Sequence, residues 1–134
     1  MQKMYMRQRN DCLTVCLAMI LGKQYEDVPL FFDTPTSTDS PNFNQRVDEF
    51  LESQGLTRTC ISVTEEWVQQ NQKGFVIMSG PTYSEEFKGT DVYHAVIYHN
   101  GALYHDPKEN PSGVIVPEIM EIVYPKNFST YFHK

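Results

Sequence analysis

Positive charge is in short supply in this chain. Its 134 residues carry 11 Lys and Arg against 17 Asp and Glu, a net charge of −6. That balance argues against general binding along a phosphate backbone, so no nucleic acid partner is expected. Cysteine is scarce as well: Cys12, Cys16 and Cys60 are an odd three, too few for a disulfide framework. Cys12 and Cys16 stand four apart, a spacing that helical geometry does not favour bridging. Three thiols point to a reducing compartment. No run approaches the roughly 18 apolar residues of a membrane span, and the opening residues lack the apolar core of a signal peptide. A cytoplasmic location away from the membrane is therefore expected. The spacings CxxC and HExxH are missing, so neither a metal nor a cofactor is expected. No internal repeat or domain boundary appears, which leaves a single domain over residues 1–134, large enough to bury its own core.

What is present is periodic. Aromatic residues make up 13% of the chain, which argues against disorder. From Cys12 to Leu21, the residues Leu13, Cys16, Leu17, Ile20 and Leu21 follow the spacing of one buried helical face. Asn10 and Asp11 are good N-cap types ahead of it, and Gly22 is a natural residue to end it. Tyr25 to Pro29 reads as the opening of a second, short helix ending near Phe32. Asp33 to Asn42 is a Thr-, Ser-, Asp- and Pro-rich loop, suited to a mobile flap. Phe43 to Ser53 is amphipathic and Gly55 stops it. Thr57 to Val63 alternates as a strand, and Thr64 caps a helix running to about Asn71. Phe75 to Met78 is a short apolar strand followed by a Gly80-Pro81 turn. Val92 to Tyr98 and Ala102 to His105 form a hairpin, with Asn100-Gly101 as its turn signal. Val114 to Val116 and Ile119 to Tyr124 are further strands. Helices first and an antiparallel sheet after them make an α+β fold.

Four residues carry the chemistry. Free cysteine is commonly buried packing, and Cys16, inside the apolar stripe, and Cys60, inside a strand, are read that way. Cys12 differs, because it stands at a helix start behind a polar run. Unpaired N–H groups and the macrodipole at such a terminus favour a thiolate, the form that acts as nucleophile. His94 opens an otherwise apolar strand, where a buried histidine satisfied by a carbonyl is the plain alternative. Asp106 precedes Pro107, a spacing that turn chemistry alone explains. Its functional role would be to accept the Nδ1–H of His94 and hold the ring. The hairpin puts the start of one strand beside the end of the next, and so His94 beside Asp106. Gln8 would offer its amide, with the backbone N–H of Cys12, to an oxyanion; the plain alternative is an exposed glutamine. His99 in the turn, His105 and His133 in the tail are weaker positions.

At these residues the chain resembles the papain-like cysteine peptidases, in particular the branch of the double-glycine leader peptidases. Asp11-Cys12, then Cys16-Leu17-Ala18-Met19-Ile20, then His94 and Asp106-Pro107 stand in that family's order. It is similar also to small phage-encoded members, on Tyr25 to Pro29, His105 to Pro107 and Pro111-Ser112-Gly113. Two departures are visible: Leu13 replaces the glycine after the cysteine, and Gln8 stands closer to Cys12 than the leader peptidases place theirs. The resemblance implies N-terminal helices packed on a C-terminal antiparallel sheet. It implies a Cys12–His94–Asp106 triad with Gln8 at the oxyanion hole, a peptide or protein substrate, and small residues before the cleaved bond. A phage-encoded protein would work in the host cytoplasm. Two other readings stay open. One is a catalytically silent binding module of the same fold, a sponge or inhibitor of a host factor. The other is acyl transfer to an acceptor other than water, as in transglutaminase- or phytochelatin-synthase-like relatives. Oligomeric state is not legible.

Overall fold

The first helix, α1, spans Cys12–Leu21 and buries every residue from Leu13 to Met19. Leu, Val, Ala and Met make it apolar on most sides, and the buried Thr14 hydroxyl is satisfied by donating to the Pro29 carbonyl at 2.8 Å, so the helix can be sunk almost whole into the core. Gly22 ends it at φ 67°, and the Lys23 N–H returns to the Ala18 carbonyl at 2.9 Å, the left-handed stop that glycine allows without strain. The computed structural model describes residues 1–8, 10–32, 42–81, 93–108 and 115–127. The expected flap at 33–41 and the residues 111–114 and 133 lie outside them.

Two further helices follow, α2 (Phe43–Ser53) and α3 (Glu65–Asn71). The Thr64 hydroxyl caps α3 by accepting from the Trp67 N–H at 3.2 Å, as its position before two glutamates suggests. Five strands, β1 (Leu56–Ser62), β2 (Phe75–Pro81), β3 (Tyr93–His99), β4 (Ala102–His105) and β5 (Ile119–Pro125), form one sheet in the order β1-β5-β2-β3-β4. All of its pairings are antiparallel. The fold is α+β.

Strand alternation sends side chains to two cores. Ile77, Ala95 and Ile97 meet α1 and the Val47 and Leu51 face of α2. Met78, Val96, Tyr98 and Met120 meet Val68 of α3 and Ile115 on the other side. Arg58, its side chain almost wholly buried, ties the α2 edge to the sheet through Asp48 and Glu121, both at 2.9 Å. Among the described residues no helix is long and apolar enough to cross a membrane.

Several local expectations give way to long-range pairing. Gly80-Pro81 is not a turn but the end of β2, paired with His94 and Tyr93. The absence of a Cβ at Gly80 lets the backbone at Val116 lie against it, and Ser79 and Pro81 carbonyls accept from Glu118 and Val116 N–H groups. The stretch around Ile115 is accordingly a single bridge rather than a strand. The helix expected from Tyr25 shrinks to one 3-10 turn, Tyr25–Asp27, because Pro29 pushes the residue before it towards extended backbone. Cys60 is not packed: it lies exposed on β1, its sulfur 3.8 Å from Glu121 Oε1.

Candidate active site

α1 delivers Cys12 as its first residue, half-buried. In that first turn the N–H groups have no helical acceptor. The hairpin delivers the other two. Asn100 and Gly101 take φ of 52° and 86°, the paired positive values of the two-residue turn that matches strand twist. His99 then faces Ala102 and Tyr98 faces Leu103, but Ile97 faces His105. One residue, Tyr104, is extra on β4.

The bulge decides where Asp106 goes. Continued by one pair, the shifted register sets Asp106 opposite Val96, in the same alternating row as His94. Without it, Asp106 would fall opposite Ala95, in the other row. A diagonal neighbour two residues along is within reach of a long or aromatic side chain. The ring spans the gap with its distal atom: His94 Nε2 lies 2.6 Å from Asp106 Oδ1. The expected bond from Nδ1 is therefore replaced by one from Nε2, which leaves Nδ1 for a second partner. The same Asp106 oxygen accepts from the Lys108 N–H at 2.9 Å, so turn chemistry and ring orientation are served by one carboxylate.

Cys12 is the other group that acts on the ring. Burial works to lower the basicity of His94, but its hydrogen bond to Asp106 and its interaction with Cys12 override it and raise the ring to about 10. His94 is thus held as an imidazolium at neutral pH, its side chain 9% exposed against 8% for Asp106. Cys16 is fully buried, and burial first, then the charge of Cys12, pushes its thiol well above the usual range. It is core, as its place in the apolar stripe suggests.

Gln8 has a partner outside this group. Its Nε2 donates to the Tyr25 hydroxyl at 3.2 Å. Tyr25 in turn donates to Asp11 Oδ2 at 2.8 Å. The same oxygen accepts the backbone N–H groups of Arg7 at 3.0 Å and Gln8 at 3.2 Å. Asp11 occupies the N-cap position yet makes no side-chain cap bond; it is spent on the preceding turn instead. Asp11 is wholly buried, and its Oδ1 has no hydrogen-bond partner. Sequence reasoning did not find Tyr25. Its only signal is its place in the Tyr25 to Pro29 segment, and no spacing rule links it to Asp11, 14 residues away.

His99 and His105 do structural work. His105 Nε2 donates to the Met4 carbonyl at 2.6 Å, and Tyr5 meets the ring edge-on. His99 closes β3 and stacks on Phe75 at 4.2 Å. Among the described residues no three His, Cys, Asp or Glu side chains gather as a metal site. The arrangement can supply a nucleophilic sulfur, a proton donor and an orienting carboxylate. No protein-family model and no curated protein matches this chain.

Proposed function

We propose that this chain is a papain-like cysteine peptidase, an amide hydrolase using Cys12, His94 and Asp106 on a peptide or isopeptide bond. One observation carries the reading: a buried histidine bonded to a carboxylate 2.6 Å away and raised to about 10 by that carboxylate and by the thiol at the start of α1. A structural histidine needs one acceptor; this one is acted on by two ionisable groups, a carboxylate and a thiol, the pairing that thiol acyl transfer requires.

In this mechanism Cys12 Sγ, as thiolate, attacks the carbonyl carbon, forming a C–S bond and an oxyanion. N–H groups at the start of α1 stabilise that charge. His94 gives its proton to the amide nitrogen as the C–N bond breaks, and the amine leaves. Neutral His94 then takes a proton from water, whose oxygen attacks the thioester. The C–S bond breaks, the acid leaves, and the thiolate–imidazolium pair is restored. Asp106 keeps the ring in place throughout. With Leu13 buried behind the nucleophile, a narrow groove and small residues before the cleaved bond fit this reading.

The test is digestion of a diverse peptide library by the wild type and by Cys12→Ala. Cleavage after small residues in the wild type, lost in the variant, supports the reading. A folded Cys12→Ala protein that keeps the full effect of the wild type would reject it in favour of a binding module.

A further inference from the structure

The turn before α1 is held by a network that neither nucleophile nor histidine requires. Asp11 Oδ2 gathers three donors: the N–H groups of Arg7 and Gln8 and the hydroxyl of Tyr25. Tyr25 in turn accepts from Gln8 Nε2. Its ring lies under the Arg7 guanidinium, 4.3 Å from centroid to Cζ, and Arg7 pairs with Glu26 next to Tyr25. The backbone of Gln8 is therefore tied to Asp11 and its side chain to Tyr25, two residues bonded to each other. A carboxylate buried with one unpaired oxygen is a poor choice for stability alone, and Asp11 is one.

We propose that Tyr25 and Asp11 are positioning residues that hold the Gln8 carboxamide for the oxyanion formed at Cys12. The inference rests on the peptidase reading above. A carboxamide has two N–H donors. Tyr25 engages one and so sets the rotamer, and the other is offered to the developing charge. Asp11 orients the Tyr25 hydroxyl so that its lone pair, not its proton, faces Gln8. Because Asp11 adjoins Cys12 in the chain, turn and nucleophile are registered to each other through one peptide bond. Preorganised donors of this kind cost no reorganisation at the moment of reaction.

Two reagents on the same thiol separate the roles. Iodoacetamide alkylates Cys12 by displacement and forms no oxyanion. p-Nitrophenyl acetate transfers its acetyl group to the sulfur through one, releasing p-nitrophenolate. Tyr25→Phe should leave the alkylation rate and the melting temperature close to wild type and slow acetylation about tenfold. Gln8→Ala should slow acetylation at least as much, by up to about 10² if the amide acts as an oxyanion-hole donor. The double variant should be no slower than Gln8→Ala, since Tyr25 acts only through Gln8. Equal loss of alkylation and acetylation in Tyr25→Phe would make Tyr25 a merely structural residue and overturn the inference. So would acetylation at the wild-type rate, or additive losses in the double variant. A wild type that alkylates at Cys12 but takes no acetyl group overturns the peptidase reading itself, and the inference with it.

Discussion

Asp106 meets Nε2 of His94 at 2.6 Å across a strand pair whose register is broken by a single extra residue, Tyr104. A bulge next to a reactive group commonly re-aims a side chain, and here it moves Asp106 from the Ala95 row to the His94 row.

Loss of the carboxylate should therefore act on the ring before anything else. In Asp106→Ala, burial is opposed by Cys12 alone, and the His94 pKa should fall from about 10. Nitrogen-15 NMR of the imidazole across pH reads this directly. Turnover, with the triad working as proposed, should drop by up to about 10⁴-fold, the loss seen when a catalytic histidine loses its orienting carboxylate. An unchanged titration would mean that Asp106 does not hold the ring.

Deleting Tyr104 should leave the His94 titration close to wild type, because without the extra residue Ile97 still faces His105 and the next pair still sets Asp106 opposite Val96. The NMR signal of His94 checks this, with circular dichroism to verify that the sheet survives.

The raised pKa also makes stability depend on pH. Folded His94 keeps its proton to about pH 10, against 6.5 for the ordinary side chain. Between those values the native state binds the extra proton. The stabilisation is thus complete below about pH 6.5 and is lost as pH rises through about 10. Denaturant midpoints should fall across that window in the wild type. The decline should be much smaller in His94→Gln.

Thiol labelling should follow the environments of the three cysteines. Cys12 should react first at pH 7, as a half-buried thiol beside an imidazolium. Cys60 is exposed, but burial of its sulfur and the nearby Glu121 charge raise its pKa, so it should follow more slowly. Cys16 should need unfolding. Mass spectrometry of tryptic peptides gives the order, and Cys60 labelling ahead of Cys12 would contradict it.

Gly80→Ala should destabilise the fold by about 3 kcal/mol, the upper range for forced overpacking. An added Cβ would overlap the Val116 carbonyl group, and backbone cannot swing aside as a side-chain tip can. Since Gly80 is paired with His94, labelling of Cys12 should also change. A melting curve close to wild type would show that the 115–118 segment yields.

The sequence by itself determined what depends on near neighbours. The α1 helix with its Gly22 stop, the α2 helix ending before Gly55, the Thr64 cap and the Asn100-Gly101 hairpin all arise from interactions within a few residues, and each appears where its pattern puts it, although α1 is buried all round from Leu13 to Met19 rather than along one stripe. The approach of His94 to Asp106 was legible for the same reason, because a two-residue turn aligns the strands it joins. Tertiary structure decided everything that depends on competition between distant partners. Asp11 is an N-cap type, yet three donors from residues 7, 8 and 25 claim its oxygen, and no local rule ranks them against the helix. Gly80-Pro81 has turn chemistry, but β3 and the 116–118 backbone satisfy its carbonyls and hold it extended. Whether Asp106 falls in the row of His94 or of Ala95 turns on one bulged residue, and a shift of one residue in register exchanges the two faces of a strand. Such choices are made between near-equal hydrogen-bonding alternatives, and only the packed chain fixes which groups are within reach.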